Sequence, residues 1–371
     1  MRIVIFTHSL VSDWNHGNAH FLRGLATELA DRGCEVRILE PADGWSRSNL
    51  LAEYGQAAIT GFEEAYPQIR STLYDLASLD LTTELDNADV VLVQEWNHPE
   101  LIARVGRHKA AHGGYRLFFH DTHHRSLTDP EAMARLDLRG YDGVLAYGEV
   151  IRRRYVANGW ARRAWTFHEA ADTRVFRPLP GAQPLGDVVW IGNWGDGERT
   201  EELREFLIEP VRSLGIKARV YGVRYPPYAL QELSAAGIEY GGWLPNYLVP
   251  EVFARYKVTL HIPRRPYAEI LHGIPTIRPF EAMACGIPMV STPWRDTEKL
   301  FSPGANFLIA SSGVEMKSAL RALLSSSTFA DSVAASALAL IRARHTCAHR
   351  AEQLLGIVNE EVDRLAAEYV L

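Results

Sequence analysis

The chain has 371 residues, 47% of them hydrophobic and 23% charged, with a net charge of −6. That length suits two globular cores, and the charge has the wrong sign for a broad nucleic-acid surface. Three cysteines, Cys34, Cys285 and Cys347, are odd in number and far apart. They read as reduced thiols of a cytoplasmic protein, not as a disulfide frame or a zinc site. The apolar run at residues 1–6 is too short for a signal core or a membrane span, and Thr7-His8-Ser9 ends it. It reads as a buried first strand, and no transmembrane segment is expected.

Short β-branched runs alternate with helical patterns along the first half. Strands are expected at residues 3–6, 35–39, 90–94, 116–120 and 143–146. Residues 18–32 form an amphipathic helix, with Phe21, Leu22, Leu25 and Leu29 on one face and Gly33 as its stop. The alternation predicts a doubly wound parallel sheet over about the first 165 residues. Residues 44–85 carry a weaker pattern, helical in part.

Two stretches of this half carry candidate chemistry. His16-Gly17-Asn18 lies between the first strand and the first helix, at the carboxyl edge where such sheets bind ligands. Gly17 permits close backbone approach, and a helix N-terminus favours an anion. The alternative is that Asn18 only caps the helix. There is no GxGxxG, so a dinucleotide fingerprint is absent. Phe118-Phe119-His120-Asp121-Thr122-His123-His124-Arg125 runs from an apolar strand into a histidine-rich loop. His120, poised by Asp121, is the candidate general base; a hydrogen-bonded loop histidine is the alternative. Zinc would need further ligands, and no HExxH or paired cysteines supply them, so no metal site is expected.

A linker follows at residues 172–184, with Pro178, Pro180, Gly181 and Pro184. Strands at 187–191, 217–221, 258–262 and 288–291 then alternate with helices at 201–214, 282–285 and 315–324. An Ala-rich helical tail begins near residue 331. Gly192, Asn193 and Arg199 sit on a strand–glycine turn–helix segment that could cradle a phosphate. Asp196 and Glu198 work against a pure anion site there, and a capped turn is the alternative. Arg264 and Arg265 occupy a proline-stiffened loop that suits a diphosphate or forms a solvated face. Gly273 and Pro275 shape a turn whose amides, at Gly273, Ile274 and Thr276, could face a ligand, with Arg278 following. Glu281, near the start of a short helix, could accept two hydrogen bonds from a ribose diol, or only stabilise the helix dipole.

The segment Phe280-Glu281-Ala-Met-Ala-Cys285-Gly286-Ile-Pro288-Met-Val290 resembles the donor signature of GT-B glycosyltransferases, of the family-4-like group with its CgeB-type relatives. Asp172 to Pro178 resembles that group's inter-domain segment, and Arg199 stands where its phosphate loop would. His16-Gly17-Asn18 stands where a Gly-Gly loop faces donor and acceptor. The resemblance implies an α/β GT-B fold, with two Rossmann-like, doubly wound parallel-sheet domains facing a central cleft. Residues 1–170 would be the acceptor-side domain and 183–345 the nucleotide-sugar domain, with a helix at 346–371 crossing back to the first. It implies a glycosyltransferase that moves a sugar from a UDP- or GDP-linked donor to a small-molecule, glycan or protein acceptor. Configuration at the sugar would be retained, with no bound metal and no cofactor. Arginines and helix N-termini would stabilise the departing diphosphate, and His120 would be either a base or a sugar-positioning group.

Two features depart from that pattern. The family's acid pair is separated by seven residues, which puts Gly273 where the first acid belongs. Its basic pair is also absent from the usual spacing, leaving Arg199 with Arg264 or Arg278 as candidates. Two other functions compete: a nucleotide-sugar epimerase or hydrolase of the same fold, and a non-catalytic nucleotide-sugar binder.

Overall fold

The structure is a computed structural model that describes residues 1–195 and 197–369. Asp196, weighed above against anion binding, lies outside the described residues. The backbone forms two compact units, residues 1–169 with the chain from 347 onward, and residues 170–346.

The first unit is built on seven strands: β1 (Arg2–Phe6), β2 (Glu35–Pro41), β3 (Ser71–Tyr74), β4 (Val90–Gln94), β5 (Arg116–Asp121), β6 (Gly143–Ala146) and β7 (Ala164–Thr166). Every pairing is parallel, in the order β3-β2-β1-β4-β5-β6-β7. β4 is buried along its whole length. A parallel strand covered on both faces must be apolar throughout, which is why these runs stand out in the sequence. The order reverses between β1 and β4, so the loops after those strands open a crevice at the carboxyl edge. The Ala19–Asp31 helix buries Phe21, Leu22, Leu25 and Leu29, and Gly33 ends it at φ +80° with its N–H on the Ala30 carbonyl. The Cys347–Tyr369 helix packs on it. Arg350 and Gln353 donate to the carbonyls of His168 and Thr166, both at 2.8 Å, and Arg163 pairs with buried Glu361.

The second unit repeats the plan with β8 (Gly186–Ile191), β9 (Ala218–Tyr221), β10 (Glu239–Tyr240), β11 (Tyr256–His261), β12 (Met289–Ser291) and β13 (Leu308–Ile309). These strands are also all parallel, in the order β10-β9-β8-β11-β12-β13. The core joins Val188, Trp190, Val220, Leu260, Val290 and Leu320. The switch point falls between β8 and β11. Both doubly wound sheets expected from the sequence are therefore present.

Two helices differ from expectation. Residues 201–214 form one helical run, but it is broken into Thr200–Leu203, a π turn at Arg204–Ile208, and Glu209–Leu214. Pro210 explains the break, because it has no N–H to give the Phe206 carbonyl. The helix expected at 282–285 begins earlier and spans Ile277–Cys285. Pro279 falls in its first turn, where the N–H groups of a helix have no internal partner, so a proline there costs little. Glu281 thus lies in the second turn instead of opening the helix, and Gly286 closes it at φ +67°. No single helix among the described residues is long and apolar enough to cross a membrane.

Candidate functional site

The first unit builds its candidate edge around a fixed loop between β1 and the first helix. Buried Glu40, at the end of β2, accepts hydrogen bonds from the Leu10 N–H (2.6 Å), the Ser9 hydroxyl (3.1 Å) and the Ser71 hydroxyl (2.8 Å). From the helix, buried Arg23 donates to the Leu10 and Val11 carbonyls (3.0 and 2.9 Å) and pairs with Asp13 at 2.9 Å. Its guanidinium lies over the Phe62 and Tyr66 rings. A buried carboxylate and a buried guanidinium therefore hold the loop that delivers His16, Gly17 and Asn18. Gly17 is exposed. Asn18 does not cap the helix with its side chain; its amide donates to the Thr122 carbonyl at 2.9 Å and ties this loop to the one after β5. The rings of His8 and His16 stand 4.0 Å apart. Burial pushes His8 down to about 4 and His16 well below its usual value, so both are neutral at pH 7.

His120 and Asp121 both lie in β5, but they do not form the expected pair. Successive strand residues point to opposite faces. His120 packs against Phe21 and Phe167, with ring centroids 6.0 and 5.6 Å away. Burial lowers it to about 4, and its Nε2 has no hydrogen-bond partner. The Asp121 carboxylate instead accepts from the Tyr155 hydroxyl (2.8 Å) and the His123 N–H (3.0 Å). The dyad is corrected to a lone buried histidine beside a separately anchored aspartate.

Glu95 was missed, although an acid directly after an apolar strand is a ligand-edge position. It is fully buried, and its carboxylate accepts from Arg125 Nε at 2.5 Å. Burial first, and then the charge of Asp121, push it up to about 8; burial pushes Asp121 up to about 6. The two carboxyls share protons as a pair near neutral pH. Arg125 also lies over the Trp96 ring, 4.4 Å from its centroid.

The second unit's edge carries cations. After β8, the Gly192 N–H is spent on the Tyr221 carbonyl (2.9 Å), and the Gly192 carbonyl accepts from the Tyr225 hydroxyl (2.8 Å). Asn193 accepts the Val223 N–H through its side chain at 2.8 Å. Arg199 donates to the carbonyls of Asn193 (2.5 Å) and Ile262 (2.8 Å) and lies against Trp190. The Gly192 amide is thus a sheet donor and not a phosphate ligand, and Arg199 clamps two loops together. Burial, with the charges of Arg264 and Arg278 among the further causes, lowers Arg199 only to about 9, so it stays cationic.

Glu281 is fully buried and accepts from Asn246 Nδ2 at 2.8 Å and from Arg278. Arg264 pairs with Glu198 at 3.3 Å, and Arg265 turns to Glu202. His261, at the end of β11, joins Ser291 through Nδ1 (2.8 Å) and Thr276 through Nε2 (3.3 Å). Burial, then the charges of Arg199 and Arg278, hold it down to about 3. The charges of Arg264 and Arg278 both act on Arg199, and those of Arg199 and Arg278 on His261, so these candidates lie near one another. Asn246 and His261 were not among the expected site residues; His261 could have been found as the polar end of an apolar strand.

The turn before the Glu281 helix is closed on itself. Gly273 donates to the Arg295 carbonyl (2.6 Å) and Ile274 to that of Leu271 (3.2 Å), so neither amide faces a ligand as expected. Gly273 has φ +95°, and a Cβ there would stand 2.7 Å from Glu298 Oε1. Only glycine fits that turn. Among the described residues, no group of three or more His, Cys, Asp or Glu side chains is placed to hold a metal ion.

Comparison with known proteins agrees with this architecture. A family model described as glycosyl transferase-like matches residues 199–356. An α-glucosyltransferase solved with UDP and a 13-mer DNA is 12% identical with a TM-score of 0.70, over 97% of this chain and 99% of that one. HepE of Anabaena, solved with UDP and glucose, is 14% identical with a TM-score of 0.67, over 97% and 99%. Sucrose-phosphate synthase from Thermosynechococcus elongatus is 12% identical with a TM-score of 0.65, over 98% and 100%. No curated protein matches the sequence. These findings define the fold, that of the GT-B glycosyltransferases, with glycosyl transferase-like sequence through most of the second unit. They do not single out the CgeB-type subgroup.

Proposed function

We propose that the protein moves a glycosyl group from a nucleoside diphosphate sugar, UDP- or GDP-linked, to an acceptor hydroxyl. The observation that carries this reading is the gathering of Arg199, Arg264, Arg278 and Glu281 at the carboxyl edge of the second sheet. The glycosyl transferase-like match covers that same segment. UDP in the solved structures of HepE and the α-glucosyltransferase favours a uridine donor.

In this mechanism Arg264 and Arg278 neutralise the diphosphate as its bond to the sugar C1 breaks, with Arg199 adding charge from behind. Glu281 exchanges its present partners for the ribose hydroxyls. The acceptor oxygen bonds C1, and its proton passes to the departing diphosphate oxygen, which retains configuration. Neutral His261 positions Thr276 without adding charge. In the first unit, Nε2 of His120 orients an acceptor hydroxyl. No metal ion takes part.

Calorimetry with UDP, GDP and ADP, followed by transfer assays with the matching donors, tests the reading. Glu281→Ala is expected to weaken nucleotide binding by about 1.5–3 kcal/mol, the usual worth of hydrogen bonds to a charged group. Activity should survive EDTA. No nucleotide binding at millimolar concentration would remove the transferase reading. Tight binding without turnover of any kind would leave only a binder.

A further inference from the structure

We infer that the acceptor is a saccharide and that Trp96 is the platform on which one of its rings stacks. Calling that ligand the acceptor rests on the transferase reading; the binding surface stands on its own geometry. Trp96 follows β4 directly, at the carboxyl edge of the first sheet, and is 43% exposed. An exposed indole is normally loose, but this one is held from several sides. The Arg125 guanidinium lies 4.4 Å from its ring centroid and is itself fixed by the Glu95 carboxylate and carbonyl. His123 meets the indole at 4.7 Å, nearly perpendicular, and His8 stands 6.3 Å away with His16 behind it.

Beside the indole, in the ring pair formed by His8 and His16, lie polar atoms without a hydrogen-bond partner. Nδ1 of His8 and Nε2 of His16 are buried and have no hydrogen-bond partner. Such atoms are costly to leave unpaired, and a ligand rich in hydroxyls satisfies them. Both imidazoles are neutral, so each can donate at one nitrogen and accept at the other. A pyranose fits this combination, with an apolar C–H face for an aromatic ring and a rim of hydroxyls for the polar groups beside it. A nucleobase also stacks on indole. Here, however, Arg125 is already committed to Glu95, and the chain's net charge is −6, so a neutral sugar is favoured over a phosphate-bearing strand.

Saturation-transfer NMR on the full chain tests this with methyl glycosides of glucose, galactose, mannose and N-acetylglucosamine, their disaccharides, thymidine and a short single-stranded DNA. Transfer to the ring C–H protons of at least one glycoside is expected. Affinity for it should fall about tenfold in Trp96→Ala and Trp96→Leu and stay within about threefold in Trp96→Phe. UDP affinity, measured on the same samples, should be unchanged in all three and reports that each variant is folded. The inference is overturned if no glycoside binds the wild type, if binding is undiminished in both Trp96→Ala and Trp96→Leu, or if thymidine or the DNA binds in preference to every glycoside. Failure of UDP to bind the wild type would count against the transferase reading alone.

Discussion

The two sheets run their strands in the same spatial order, yet their carboxyl edges carry opposite chemistry. The first edge offers neutral imidazoles, a buried carboxyl pair raised by burial, and one arginine engaged by Glu95. The second offers three arginines, two of them acting on buried Arg199, beside a histidine kept neutral by burial first and then by the charges of Arg199 and Arg278. One topology thus presents a hydroxyl-seeking edge and an anion-seeking edge. The fold decides where loops gather, and the loop residues decide what they bind.

The contrast is broken most directly by removing the arginine that answers the buried acid on each edge. Arg278→Ala removes the cation that answers fully buried Glu281 and leaves in place its hydrogen bond from Asn246. A loss of about 3–5 kcal/mol in unfolding free energy is expected. Arg125→Ala leaves Glu95, whose carboxyl already favours the protonated form, and it takes up a proton instead. About 1–2 kcal/mol is expected there. Urea unfolding of both variants compares the costs, and equal losses would show that the two acids sit in equivalent fields.

Much of this was legible in the sequence, and the reasons are physical. Buried parallel strands such as β1 and β4 are apolar on both faces, so their runs announce themselves. The edge strands β3, β7, β10 and β13 are short and partly exposed, and their residues look like loop. The arginines at 264 and 278 were singled out because cations beside proline-shaped turns are conspicuous. Arg199 was singled out too, but its work on two carbonyls was not visible, since the Ile262 carbonyl lies 63 residues away in sequence. Pairing His120 with Asp121 failed because adjacency along a strand is separation in space. Glu95 carried a local mark, an acid directly after an apolar strand, but its partners, Arg125 and Asp121, come from another strand and its loop and were not visible from there.

A smaller effect sharpens the description of the first edge. The Glu95 and Asp121 carboxyls are raised in the folded protein, to about 8 and about 6, from ordinary values of 4.5 and 3.8. The folded state therefore binds more protons than the unfolded chain between about pH 4 and about pH 8. The stability this contributes is complete below about pH 4 and is lost as pH rises through the folded values. Glu95→Gln removes much of that dependence. The difference in unfolding free energy between wild type and Glu95→Gln should fall by on the order of 2 kcal/mol from about pH 5 to about pH 8. A difference that is flat, or rises with pH, would mean that Arg125 keeps Glu95 ionised.

The smallest expected effect on stability belongs to Arg264, and it tests whether the second edge is arranged for a ligand or for the fold. Its pair with Glu198 is 3.3 Å long and open to solvent on both sides, with side chains 24% and 34% exposed. Pairs of that kind are worth about 0–1 kcal/mol, so Arg264→Gln should leave urea unfolding nearly unchanged. Glu198 gains nothing from holding the arginine tightly, and the cation stays available to an arriving diphosphate, which offers more charge and more acceptors than one carboxylate. UDP affinity should accordingly drop by about tenfold in Arg264→Gln, with a weaker salt dependence than in the wild type. The reverse result, a destabilised protein with full UDP affinity, would make Arg264 a structural tie like Arg199 and leave Arg278 as the cation that meets the phosphates.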